Sequence, residues 1–375
     1  MNPTTPSPSE HDDDEPGPDH GLGADPASFA LPPGADPAVD WGLTSHLDGD
    51  GRPKIIERHL VVPADLAGLR LDHFVKTQIG RLSRTKIQTI IDTQLTRIDG
   101  RVPKSSTSVA AGEHYIIRRP APQEPPCPRT FTVVYEDARV RVIDKPALLP
   151  VHASAKFYFN TLTRVMAERY PDEPEQQIVH RLDRETSGCL VIARDKEAAA
   201  ILKQAWEHKT IKSAGQPASG VDKQYLAVVH GTPPWTEERL LDIGLRLSQP
   251  SDPTRLPHVR MLPDPAGQSA MTKVKTERAG ELYSLVRCLL ITGRQHQIRA
   301  HLAHAGFPIV GDKLYAHGDD AFIEYCDKGL LPALAALFVL PRHALHAAKV
   351  AFKHPDGRMI TAEAPLPPDL AALIT

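Results

Sequence analysis

"IVHRLDRETSG", residues 178–188, sets Arg181, Asp183, Arg184 and Glu185 within five positions. Directly after it, Leu190-Val191-Ile192-Ala193 has the length and apolarity of a buried strand. A carboxylate beside a core is costly unless it is paired, and its usual partner is arginine. A neighbouring guanidinium would lower the Asp183 pKa and keep it ionised. Such an anion suits nucleophilic attack or electrostatic stabilisation better than general-acid work. A structural ion pair or a helix cap is the alternative reading of Arg-x-Asp-Arg.

Two further polar clusters stand out, "DKQYLAVVHG" (222–231) and "TGRQHQIRAHLAHAGFPIVGD" (292–312). All three are expected at the ends of apolar strands, where strand termini can converge on one cleft. Tyr225 reads as a core aromatic or as a platform for a base. Arg294 and Arg299 suit phosphate contacts or partnership with a buried carboxylate. His296, His301 and His304 are five, three and eight apart with no acid in their run, unlike a zinc helix with ligands four apart around a Glu. A metal-dependent hydrolase using His296 and His301 is kept as a rival. No phosphate-binding G-x-x-x-x-G-K-[ST] loop occurs.

Around these clusters, "TFTVVYEDARVRVIDKPA" reads as two strands joined at Glu136-Asp137. "DKEAAAILKQAWEH" reads as a helix capped by Asp195, with Ala198, Ile201, Leu202, Ala205 and Trp206 on one face. Gly/Pro/Ser-rich stretches at 213–221 and 248–268 look like surface insertions. The mixture predicts an α+β domain on a mainly antiparallel sheet over residues 131–375.

Upstream, residues 54–119 form a second, small α+β unit. Leu71, Phe74, Val75 and Ile79 share one helical face, and Ser83 caps a second helix with Ile87, Ile90 and Ile91. Asp99-Gly100 predicts a hairpin turn, and "EHYIIRRP" a closing strand. This unit holds twelve Lys or Arg against six acids. Arg81, Arg84 and Lys86 gather where the second helix presents free N–H groups, a place for phosphate to dock. Residues 120–130 read as a Pro-rich linker and residues 1–53 as a disordered acidic tail.

Residues 1–51 carry eleven acids and no Lys or Arg, so the net charge of −2 conceals +9 on the remainder. A basic body suggests a polyanionic partner. The four scattered cysteines form no Cys-x-x-Cys pair and fit a reducing, cytoplasmic setting. Neither a secretory signal nor a membrane span is expected.

The helix–helix–hairpin unit with "LSRTKIQTII" resembles the S4 RNA-binding domain. "HRLDRETSG", "KQYLAVVHG", "GRQHQIRAHLAHAGFPIVGDKLY" and "RHALHA" (342–347) together resemble the signatures of the RluA-type pseudouridine synthases. The resemblance spans about residues 54–365 and implies isomerisation of uridine to pseudouridine in RNA without cofactor or metal. It implies Asp183 as the essential carboxylate, Tyr225 as its aromatic neighbour and Arg299, before Arg294, as its basic partner. It further implies that Arg181 expels the target base. Arg184, Arg294, His296 and the Arg81–Arg84–Lys86 group are expected to contact RNA. Large-subunit ribosomal RNA is favoured, with transfer RNA possible, and a monomer is expected. A non-catalytic RNA-binding or ribosome-assembly factor on the same fold is the second rival. Segments 212–221 and 315–340 depart from the family pattern and are expected to reshape the RNA groove.

Overall fold

The computed structural model describes residues 31–32, 34–80, 82–154, 156–208 and 220–375. Arg81, residues 1–30 and most of the 212–221 insertion lie outside them. The chain divides into two compact units, Thr44–Gln123 and a larger one of Glu124–Thr375 with the chain up to Leu43.

The small unit runs β1 (Ile55–Val61), α1 (Leu71–Ile79), α2 (Arg84–Gln94), β2 (Leu95–Arg97) and β3 (His114–Pro120). Its antiparallel sheet has the order β1-β3-β2. Leu71, Phe74, Val75, Ile87 and Ile91 are buried at helical spacing, and the Ser83 hydroxyl accepts from the Lys86 N–H at 3.3 Å. Gly100 makes the expected turn at φ +83°, its N–H donating to the Arg97 carbonyl. The hairpin itself does not follow, since β2 pairs with β3 instead. Pro103, which lacks a ladder donor, stands where the returning strand would form.

The disordered tail and the linker also need correction where they are described. The Arg129 and Cys127 amides donate to the Asp40 and Trp41 carbonyls, and Leu47 bridges to Pro53. Glu124 is buried, its carboxylate accepting the Phe159 and Asn160 N–H groups at 2.9 and 2.8 Å. These segments pair residue by residue without periodicity, and a composition-based reading therefore passes over them.

The larger unit continues through β4 (Thr132–Glu136), β5 (Val140–Lys145), α3 (Leu162–Arg169), β6 (Gln177–Ile178), β7 (Ser187–Ala193) and α4 (Lys196–His208). Then come β8 (Val221–His230), β9 (Arg239–Asp242), β10 (Leu245–Leu247), β11 (Met261–Pro263), β12 (Met271–Arg278) and β13 (Tyr283–Leu290). It closes with α5 (Gln297–His304), α6 (Gly318–Lys328), α7 (Pro332–Phe338), β14 (Leu345–Lys353), β15 (Met359–Glu363) and α8 (Pro368–Ala371). The main sheet has the order β4-β5-β7-β14-β8-β13-β12-β9, with β6 on β7 and β15 on β14. Its pairings are antiparallel except β7 with β14, where Ser187 and Gly188 lie beside His346 and Ala347. This is an α+β fold on a mainly antiparallel sheet.

Strand β7 explains the apolar run of the sequence. Leu190 and Ile192 join one core with Ile298 and Leu302, and Cys189, Val191 and Ala193 join another with Ala198, Leu202 and Trp206. A strand covered on both faces is apolar throughout. Asp195 caps α4 through the Ala198 N–H at 2.7 Å, but Ile201, expected on its buried face, is exposed. Gly188 has φ +109°, and a Cβ there would lie 2.3 Å from the Ala347 carbonyl oxygen. The parallel pairing therefore requires glycine.

Candidate active site

Asp183 sits in the loop between β6 and β7, where its carbonyl accepts the Thr186 N–H at 3.1 Å. The loop is held from below and behind. The fully buried Lys145, last residue of β5, donates to the Pro146, Leu149 and Arg184 carbonyls at 2.8, 3.0 and 3.3 Å. Both Glu185 carboxylate oxygens accept from Lys313 at 3.0 Å, and one also accepts the His343 N–H at 2.9 Å. The Thr186 hydroxyl meets His343 Nε2 at 2.7 Å, and the Ser187 hydroxyl meets His346 Nδ1 at 2.9 Å. The residues around Asp183 are thus fixed to strand β5 and to the approach to β14.

The partner of Asp183 comes from α5. Arg299 Nη1 donates to Asp183 Oδ2 at 2.9 Å, while Nε and Nη2 grip Asp312 at 2.7 and 3.0 Å. The expectation of Asp183 between its two sequence-neighbour arginines is corrected by this geometry. Arg184 turns to Glu185 and the Tyr325 hydroxyl, at 3.2 and 3.4 Å, and Arg181 is exposed. Arg294 donates to the Ser269 carbonyl at 3.0 Å and makes no bond to Asp183.

Burial alone would push the Asp183 carboxyl up, but the positive groups around it outweigh that and hold it well below the usual carboxylate range. His296 is itself pushed down to about 4, first by burial and then by Arg299, so it is neutral at pH 7. Arg299 is therefore the cation that keeps Asp183 ionised. Burial, with the Asp183 charge behind it, raises the Tyr225 hydroxyl, which stays protonated. Tyr225 lies inside β8, opposite Cys288, rather than at a strand end as expected. Its ring is buried, and no described residue hydrogen-bonds its hydroxyl. The Asp183 side chain keeps 25% of its surface exposed, and only its Oδ2 is tied by Arg299. One oxygen of an ionised carboxylate is left for chemistry.

Other expected residues fall elsewhere. His301 is buried with Nδ1 against the Thr272 hydroxyl and Nε2 against the Ile243 carbonyl, which leaves neither nitrogen for a metal shared with His296. Arg84, with 67% of its side chain exposed, belongs to the small unit beside buried Asp72 at 3.9 Å, and Lys86 is exposed on the same helix. Segment 315–340 forms α6 and α7 and delivers Tyr325 to Arg184. No helix among the described residues is long and apolar enough to cross a membrane, and all four cysteines are free thiols.

Sequence reasoning missed Asp312, Lys145, Lys313 and Tyr315. Asp312 was the one to find, being the sole acid in residues 292–312. Lys145 and Lys313 are buried lysines that read as solvent-facing charges in a linear sequence.

A model of the RNA pseudouridylate synthase family matches residues 139–304. The chain is 33% identical over 330 residues to the ribosomal large subunit pseudouridine synthase D of Xanthomonas campestris pv. campestris, covering 85% of this chain and 92% of that one. It is 36% identical over 344 residues to an uncharacterized RNA pseudouridine synthase of Chloroflexus aurantiacus, covering 88% and 97%. With the ribosomal large subunit pseudouridine synthase C of Escherichia coli the identity is 30% over 329 residues, covering 82% and 92%. The chain belongs to the RluA-type RNA pseudouridine synthases and is an isomerase acting on RNA.

Proposed function

We propose that this enzyme isomerises uridine in large-subunit ribosomal RNA, with Asp183 as the reacting carboxylate. The observation that carries the assignment is Asp183 itself: ionised by Arg299 at 2.9 Å, tied through one oxygen, and partly exposed next to buried Tyr225. The ribosomal substrate rests on the names of the relatives in Xanthomonas and Escherichia.

The reaction breaks N1–C1′, turns the uracil and joins C5 to C1′; the C5 hydrogen leaves to solvent as a proton and N1 takes up a proton, so that the product is an isomer of the substrate. The free Asp183 oxygen stabilises or attacks C1′ as positive charge develops there, as carboxylates do at glycosidic bonds. Uracil departs as a delocalised anion and is recaptured, so no second acid is required. Arg299 keeps Asp183 anionic, and Tyr225 supplies a neutral aromatic wall for the base. The uridine must leave its stack first, at a cost of a few kcal/mol, in which exposed Arg181 assists. Arg294 and the S4-like small unit, with Arg84 and Lys86, contribute salt-dependent phosphate contacts, whereas Arg184, expected to do the same, is engaged with Glu185 and Tyr325.

Tritium release from RNA labelled at uracil C5 tests the assignment. Asp183→Asn should bind RNA as the wild type does and release no tritium. Release by Asp183→Asn at the wild-type rate would discard Asp183 as the reacting group. No release by the wild type from ribosomal RNA, with release from transfer RNA, would discard the substrate.

A further inference from the structure

His296 begins α5 with φ +50° and ψ +18°, a left-handed conformation that histidine tolerates better than most side chains but that still marks a constrained position. Its Nδ1 lies 3.2 Å from the Tyr315 hydroxyl, and that hydroxyl accepts the Met261 N–H at 2.9 Å. Tyr315 must therefore direct its own proton elsewhere, and His296 Nδ1 is its one acceptor among the described residues. An accepting Nδ1 places the imidazole proton on Nε2. That atom faces Asp183 Oδ2 at 3.9 Å, where an unprotonated nitrogen would meet a carboxylate lone pair to lone pair. Two independent contacts fix the same tautomer.

We propose that His296, set by Tyr315, is a positioning residue that acts through Asp183. Its Nε2–H is a second donor to Oδ2, beside Arg299, and it keeps the other carboxylate oxygen turned toward the nucleoside. At 3.9 Å the resting contact is electrostatic, and about 1 Å of travel makes it a hydrogen bond when the site closes on RNA. The groups facing His296 are Arg299, Asp183, Asp312 and Arg181, and together with burial they leave it uncharged. A neutral donor aims the carboxylate without drawing off its charge as a second cation would. The proposal rests on Asp183 being the reacting carboxylate.

Two substitutions separate this role from the RNA contact that the sequence suggests. His296→Asn suits the left-handed backbone and can still reach Tyr315, but its amide stops short of Asp183. His296→Gln carries an amide N–H about as far as Nε2. Single-turnover tritium release by His296→Asn should fall about tenfold to a hundredfold, the scale of a misaimed reacting group. RNA affinity should stay unchanged, and His296→Gln should recover part of the rate. Nitrogen NMR of histidine-labelled enzyme should show the Nε2–H tautomer at His296 in the wild type and an admixture of Nδ1–H once both contacts are removed in the Tyr315→Phe, Asp183→Asn double variant. Full single-turnover rate in His296→Asn would overturn the proposal, as would lost RNA affinity at an unchanged bound-state rate or an Nδ1–H tautomer in the wild type. Full activity of Asp183→Asn would instead overturn the reading of Asp183 beneath it.

Discussion

His343 and His346 are buried without charge, and that makes the stability of the catalytic unit sensitive to mild acid. Burial is the main cause in both, pushing His343 down to about 3 and His346 to about 4 from 6.5. His346 is locked between the Ser187 hydroxyl and the Ala364 carbonyl. The unfolded chain takes up these protons first, so the stability they contribute is complete above about pH 6.5 and drains away as pH falls toward 4. Each such histidine costs about 1.4 kcal/mol per pH unit across that window. Urea midpoints measured between pH 6 and 4.5 should therefore fall steeply in the wild type and less steeply in His346→Gln. Equal slopes would mean that His346 is not held neutral. At this scale the sequence was legible where chemistry shows in residue type. The residue pattern marked Asp183 as a carboxylate in need of an arginine and left Arg294 and Arg299 both open; the choice of Arg299, which bonds Asp183 at 2.9 Å, came from the family resemblance, as did the role expected of Tyr225. Arg184 misled, because a linear string does not reveal that its guanidinium turns to Glu185 and Tyr325.

Among the elements, the register of β7 against β14 bears most directly on the site. Gly188→Ala would force a Cβ to 2.3 Å from the Ala347 carbonyl in a backbone region that L-residues avoid. A loss of about 2–4 kcal/mol is expected in urea unfolding, together with reduced tritium release as the Asp183 loop loses its footing. Unchanged stability would show that the strands can part without consequence. Elements with strong periodicity, α1, α2 and α4, were readable because one face is apolar. Strand β1 was not, since only Ile56 and Leu60 of its seven residues are buried, four apart, and the other five are exposed without strict alternation. The position of Tyr225 inside β8 was likewise hidden, because a polar cluster within a strand looks the same as one at its end.

For the whole molecule the uneven charge sets how RNA is held. With +9 on residues 52–375, binding should weaken linearly with the logarithm of salt concentration. Arg84→Ala and Lys86→Ala should each lower that slope by roughly one and weaken all RNA sequences alike. Binding titrations at several salt concentrations would measure this, and unchanged slopes would remove the small unit from the RNA-binding surface. The anchoring of the Asp183 loop has a consequence of another kind. Glu185, Thr186 and Ser187 find their partners at His343 and His346, more than 150 residues further along. During synthesis the ribosome completes Asp183, Tyr225 and Arg299 well before those partners emerge. A nascent chain thus carries Asp183, Tyr225 and Arg299 before the partners that hold the Asp183 loop exist, and that loop finds its full set of anchors only after His346 has been added.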